Sequence, residues 1–243
     1  MKFDIVLFDL GNTLLYFDGD WSQVLPECDR VLLKALQAAG LPLADQPFLQ
    51  MLDERFNSYY YERNTEFIEY TTLFIVQNVL AELGIPEAPA PALRQAVEAM
   101  YAVSQVHWIR EEETLPTLDR LRQMGCCMGL ISNAGDDADV QTLVDNAHIR
   151  PYFDVILTSA GQGIRKPNPR IFLNALKTWG ASPARAVMVG DTLGADILGA
   201  RNAGIYSVWI TRRSSKPGNQ DHLDTIQPDA VIENLSELPG LLS

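Results

Sequence analysis

Positive charge is scarce in this sequence. Nineteen lysines and arginines face 31 aspartates and glutamates, for a net charge of −12. A surface that acidic repels nucleic acid and anionic lipid, so neither is expected as a general partner. An anionic substrate has to be drawn in by a local cationic site or by a metal. Cysteine is scarce too, with Cys28, Cys126 and Cys127 making up the three present. Their spacing makes neither a metal-ligand set nor a disulfide framework, and the count suits a reducing compartment. Cys126 and Cys127 fall on what reads as a strand, so they are expected on opposite faces as small buried hydrophobes. Long apolar runs are missing. The first one, residues 3–10, is short and interrupted by Asp4 and Asp9, unlike a signal peptide or a membrane span of about twenty residues. A cytoplasmic protein is expected. Internal repeats and low-complexity tracts are absent as well.

What is present suits a folded chain rather than a disordered one. The chain has 243 residues, 47% of them hydrophobic, enough for a sizeable core and a second smaller module. Residues 3–9 read as a buried strand broken by Gly11-Asn12-Thr13. Short runs rich in Val, Ile or Leu recur at 128–132, 155–159, 186–190, 206–210 and 230–232. Helical patterns separate them, as at 115–124 and 169–179, where Ile171, Phe172, Ala175, Leu176 and Trp179 share one face. Alternation of this kind predicts an α/β fold: a Rossmann-like three-layer core whose parallel sheet has helices on both sides.

Residues 21–109 read differently. Four helical stretches, 24–39, 47–63, 66–83 and 92–108, follow one another without a convincing strand. Gly40 and Gly84 end two of them, and Pro86, Pro89 and Pro91 mark a loop before the last. An all-helical cap domain at 18–110 is therefore expected, inserted into a core built from 1–17 and 111–243. Residues 214–221 read as an exposed polar loop.

In open parallel sheets, ligands sit beyond the carboxyl ends of the strands. Asp9, Ser132 and Asp191 lie at or just past such ends and Lys166 a little after its strand, and two carboxylates, a hydroxyl and an ammonium form a coherent set for handling phosphate. Each has a plainer reading: a strand-end Asp or Ser closing a turn, or a solvated surface lysine.

Taken together, four segments resemble the motifs of the haloacid dehalogenase superfamily, in that family's order. They are Phe8-Asp9-Leu10-Gly11-Asn12-Thr13-Leu14, Ile131-Ser132-Asn133, Arg165-Lys166-Pro167-Asn168-Pro169, and Val189-Gly190-Asp191-Thr192-Leu193-Gly194-Ala195-Asp196. They span almost the entire core, and the helical insertion sits where that family places its first type of cap. The resemblance implies a phosphatase in which Asp9 is the nucleophile. It implies Mg²⁺ held by Asp9, Asp191 and the backbone carbonyl of Gly11, with Asp196 as a second-shell residue or an occasional ligand. Asp196 has an equally good reading as a carboxylate at a helix N-terminus. Lys166 would neutralise phosphate and nucleophile, and Ser132 and the Asn133 N–H would bind phosphate oxygens. A small phosphorylated metabolite is the substrate class that this implies.

One position departs from the pattern. Most phosphatases of this family have a second Asp two residues after the nucleophile, as acid and base; here it is Gly11. Such a group contributes about 10²–10⁴-fold in rate, most for alkoxide leaving groups. Asp18, Asp20, Glu62 and Glu66 are replacements with no spacing argument behind them; the alternative is a substrate with a good leaving group. Two further readings stay open: an L-2-haloacid dehalogenase, which needs neither metal nor leaving-group acid, and a non-catalytic module that holds a phosphorylated ligand. In the cap, Tyr59 and Arg63 share a helix face at i, i+4. Arg63 is the candidate for contacting the rest of the substrate, against a plainer reading in which the aromatics pack between helices. His107 and Trp108 read as packing at the cap exit.

Overall fold

The computed structural model describes residues 3–243. Among these, six parallel strands form one sheet: β1 (Ile5–Phe8), β4 (Cys127–Ser132), β5 (Val155–Thr158), β6 (Ala186–Gly190), β7 (Tyr206–Ile210) and β8 (Ala230–Ile232), in the order β5-β4-β1-β6-β7-β8. Every run expected as a strand is one. They hold because both faces are covered, so each strand is a near-continuous apolar run. Along β1, Val6 and Phe8 enter one core cluster with Leu118, Leu121 and Leu143, whereas Ile5 and Leu7 enter another with Ile171, Phe172 and Ala175. Fully burying one such side chain stabilises the fold by about 1.5–3 kcal/mol.

Helices α5 (Thr114–Gln123) and α6 (Asp137–Asn146) cover the first face; α8 (Pro169–Leu176) and α9 (Leu198–Ala203) cover the second. Shorter helices are α7 (Ser159–Gln162), α10 (Pro217–Gln220) and α11 (Leu238–Leu241). Cys126 packs in the first cluster and Cys127 against the second, so the pair does face opposite ways. Strand order turns around at β1, whose neighbours β4 and β6 lead outward in opposite directions. That switch point is where a ligand crevice belongs.

Helices α1 (Trp21–Ala38), α2 (Asp45–Glu66), α3 (Thr72–Glu82) and α4 (Ala90–Gln105) form their own layer around Leu32, Leu36, Phe48, Val79, Leu80 and Val97. The side chain of Asp20 accepts from Ser22 N at 2.9 Å and so starts α1 earlier than expected. The expected continuous helix from residue 66 to 83 is not there. Phe67 takes φ 54° at the end of α2, and Thr71 caps a new helix through Phe74 N. Between them the chain crosses to the core: Ile68 bridges Ile164, Glu69 N donates to Gly163 O, and Arg165 N donates to Phe67 O. Tertiary pairing here overrides helical periodicity.

A short antiparallel ribbon joins the layers. β2 (Leu15–Phe17) pairs with β3 (Trp108–Arg110), Phe17 opposite Trp108. The ribbon was not foreseen, because three-residue strands give no periodic signal. The expected boundaries at 17/18 and 110/111 fall at its ends; residues 1 and 2 of the expected core lie outside the described residues. No helix among the described residues is long and apolar enough to cross a membrane.

Candidate active site

Asp9 follows β1 directly, at the switch point. Its backbone N–H donates to Val189 O at 2.9 Å, which continues the sheet pairing up to the site. Its carboxylate Oδ1 accepts from Lys166 Nζ at 2.6 Å, and Thr13 Oγ1 stands 3.5 Å from its Oδ2. Lys166 is fully enclosed. Its ammonium also lies 2.7 Å from Asp196 Oδ1 and donates to Ile131 O at 2.7 Å. Burial alone would lower the pKa of this lysine, but Asp196 and Asp9 outweigh it and the net direction is up. The plainer reading of Lys166, a solvated surface residue, is thereby excluded.

Asn133 holds the loop that carries Lys166. Its side chain donates to Lys166 O at 3.0 Å and accepts from Lys166 N at 2.8 Å. Ser132 is buried at the end of β4 and lines the same cavity, of about 710 Å³, as Asp9, Lys166 and Asp191.

Asp196 sits in the π-helical turn Leu193–Ile197, where its Oδ2 accepts from Thr192 N at 2.9 Å. It thus satisfies a turn N–H and also faces the site. A Cβ on Gly190 would come within 2.3 Å of Asp196 Cγ, so only glycine permits this approach. Burial pushes the Asp196 pKa up to about 7 against the pull of Lys166, with Asp9 and Asp191 adding to the rise. Burial raises Asp191 too, offset in part by Lys216.

Lys216 was not foreseen. The segment 214–221 is largely exposed, as expected, but it also reaches the site: Lys216 Nζ lies 2.5 Å from Asp191 Oδ2 and donates to Thr192 Oγ1 at 2.8 Å. The buried Asn219 pins it there, donating to Asp191 O and accepting from Leu193 N, both at 2.8 Å. A polar composition resembles solvated chain. The usable signal was position, since the loop follows the carboxyl end of β7.

The site also fits a cation. Ligand atoms of Asp9, Asp191 and Asp196 lie within 4.8 Å of one another. All are hard oxygen donors, the set that magnesium prefers. Three buried carboxylates outnumber the ammoniums of Lys166 and Lys216, and a further cation would offset that excess.

The proposed acid replacements are elsewhere. Asp18, Asp20, Glu62 and Glu66 do not line the cavity that holds Asp9. Asp20 caps α1 and Glu62 accepts from Ser58 on the helix surface. Arg63 does line it, as do Arg165 and Asp139, which sequence reasoning passed over. Trp108, expected as packing only, has two roles: it meets Trp21 and Phe17 edge to face beside the ribbon, and it lines the cavity over Gly11. His107 packs against Phe17, as expected.

A strand-end aspartate is paired with a buried lysine, next to two further carboxylates, on a parallel sheet with a helical layer above, an arrangement suited to a hydrolase. The chain matches the haloacid dehalogenase-like hydrolase family over residues 3–204 and belongs to it. It is 29% identical over 239 residues to a glyceraldehyde 3-phosphate phosphatase of Methanopyrus kandleri, covering 96% of this chain and 94% of that protein. A HAD phosphatase from Thermococcus onnurineus superposes with a TM-score of 0.64 at 26% identity, over 100% of this chain and 98% of that one. A 2-haloacid dehalogenase from Pseudomonas syringae pv. Tomato DC3000 gives 0.67 at 27% identity, over 99% and 98%.

Proposed function

We propose that this hydrolase is a Mg²⁺-dependent phosphatase of a small phosphorylated metabolite, acting through an aspartyl phosphate on Asp9, with residues 18–110 as a cap over the core 1–17 and 111–243. The observation that carries the reading is the Asp9–Lys166–Asp196 ion cluster beside Asp191, largely buried at the base of the cavity at the switch point. The relative from Methanopyrus kandleri, a phosphatase of a three-carbon sugar phosphate, supports the substrate class.

Asp9, Asp191, the Gly11 carbonyl and Asp196 would hold the Mg²⁺, which when bound supplies positive charge to the phosphoryl oxygens. A carboxylate oxygen of Asp9 forms a bond to phosphorus while the bond from phosphorus to the leaving oxygen breaks. Lys166 stabilises the charge that spreads over the phosphoryl oxygens, and Ser132 and the Asn133 N–H bind them. Water then cleaves the acyl phosphate and restores Asp9. With Gly11 offering no acid, an anomeric, acyl or aryl phosphate is favoured over an alkyl ester. The test is hydrolysis of p-nitrophenyl phosphate with Mg²⁺ and with EDTA, with Asp9→Asn alongside. Turnover that needs metal and vanishes in the variant supports the reading; turnover that survives Asp9→Asn removes it.

A second reading has its own support. The Lys216–Asp191 ion pair neutralises Asp191 without a metal, and Gly11 suits dehalogenation, which needs no leaving-group acid. Halide release from 2-chloropropionate, unaffected by EDTA, would establish a dehalogenase instead.

A further inference from the structure

The cavity at Asp9 adjoins a second one, of about 560 Å³, within the helical layer. The two share Arg63, Trp108, Ala134 and Asp139 as walls. The throat between them therefore carries one guanidinium and one carboxylate. These two are not paired with each other, and among the described residues neither has an ion-pair partner of its own.

Arg63 stacks over Tyr60, with 4.3 Å from its guanidinium carbon to the ring centroid, and lies 5.6 Å from the ring of Tyr59. Its Nε is buried and has no hydrogen-bond partner. The carboxylate best placed to answer it, Glu69, is occupied: it lies 3.2 Å from Arg165 and accepts from Tyr59 Oη. Burial, and the like charge of Arg165, lower the pKa of Arg63. Asp139 accepts one hydrogen bond, from Gln105 Nε2 at 2.9 Å. Burial pushes its pKa up to about 6, against Gln105 and with Asp136 adding to the rise.

A half-buried cation with no anion and a buried acid with no cation both cost free energy. A ligand carrying both opposite charges removes both costs at once. The second cavity extends the pattern. Its walls include Trp21, Phe56 and Tyr101, flat surfaces for a small organic group, and the carboxylates of Asp29 and Asp53. Thr72 and Tyr101, hydrogen-bonded at 2.7 Å, also line it.

We infer that this throat receives a zwitterion: the phosphate ester hydrolysed at Asp9 belongs to an amino acid or a similar molecule, with its carboxylate on Arg63 and its ammonium on Asp139. The inference rests on the phosphatase reading and names the substrate class of that same site.

Four aryl phosphates with a common leaving group test it: phosphotyrosine, 3-(4-phosphonooxyphenyl)propionate, tyramine phosphate and 4-propylphenyl phosphate. They carry both charges, the carboxylate, the ammonium and neither. Binding is measured by calorimetry on Asp9→Asn, and turnover on the unaltered enzyme. Each charge is expected to improve Kd and kcat/KM by about tenfold, the scale of one charge-assisted hydrogen bond. Arg63→Met should erase the advantage of the carboxylate and keep that of the ammonium; Asp139→Asn should do the reverse. Arg63→Lys, which keeps the charge, should restore part of the carboxylate preference. Equal Kd values for the four esters would overturn the inference even if turnover were fast. Preferential binding of phosphotyrosine with no turnover of any ester would support the zwitterion site and remove the phosphatase reading instead.

Discussion

Arg165, on the loop that carries Lys166, reaches out of the core to Glu69 in the helical layer, Nη1 3.2 Å from Oε2, with side chains only 11% and 2% exposed. The same guanidinium donates to Tyr59 Oη at 3.1 Å. Catalytic loop and helical layer are thus tied by a buried charge pair as well as by the backbone bridge at Ile68 and Ile164. Glu69→Ala would leave Arg165 buried without a counter-charge. The expected cost is about 3–5 kcal/mol, read from urea unfolding curves. A loss under 1 kcal/mol would show that water reaches Arg165.

Lys166 is expected to matter for both stability and chemistry. Lys166→Met leaves Asp9 and Asp196 as unneutralised neighbours. Turnover of p-nitrophenyl phosphate should fall by about 10²–10³-fold, as when one preorganised donor is lost. A smaller loss would mean that Lys216 or the metal carries the charge alone.

The strands and the strand-end site residues were legible for one reason: buried parallel strands are apolar runs, and their carboxyl ends are punctuated by polar residues. Asp9, Ser132, Lys166 and Asp191 converge because the sheet brings those ends together. Lys216, Arg165 and Asp139 were not legible. Each is a polar residue in a polar stretch, and only the folding of the 211–220 segment, the pairing of residues 163–165 with 67–69, or the start of α6 turns it inward. The break at Phe67 escaped too, since a left-handed φ on a non-glycine residue is imposed by the contact with residues 163–165.

Restoring the missing acid requires a second change. A Cβ on Gly11 would stand 3.2 Å from Trp108 Cη2, so Gly11→Asp alone should not help alkyl phosphates. With Trp108→Ala in addition, the new carboxyl has room, and alkyl phosphate turnover should rise by about 10²-fold relative to Trp108→Ala. Steady-state kinetics of the two variants decide it.

Lys216 competes with a cation for Asp191, which it approaches to 2.5 Å. Lys216→Met should therefore lower the Mg²⁺ concentration for half-maximal activity severalfold. It should also enlarge the Mg²⁺-induced rise in Tm, since a ligand stabilises the fold according to its affinity. An unchanged Mg²⁺ titration would show that the lysine moves aside freely.

Burial, with Asp53 adding to it and Arg30 partly opposing, pushes Asp29 from 3.8 up to about 6. The folded state then binds this proton more tightly than the unfolded chain, so stability from this group is present below about pH 4 and is lost as pH rises through 6. Asp29→Asn removes that loss. Its Tm should exceed that of the parent at pH 8, by about 2–4 °C for each kcal/mol recovered, and match it near pH 4.

The ribbon of β2 and β3 fixes the two ends of the helical excursion side by side, Asp18 N donating to His107 O at 2.7 Å. To the sheet, everything between those residues is a closed loop, and closing a longer loop costs little more than closing a shorter one. Helices of another length could hang from the same clasp, provided that they keep or replace the ties at Glu69 and Ile68. The sheet therefore sets few limits on how long that excursion can be.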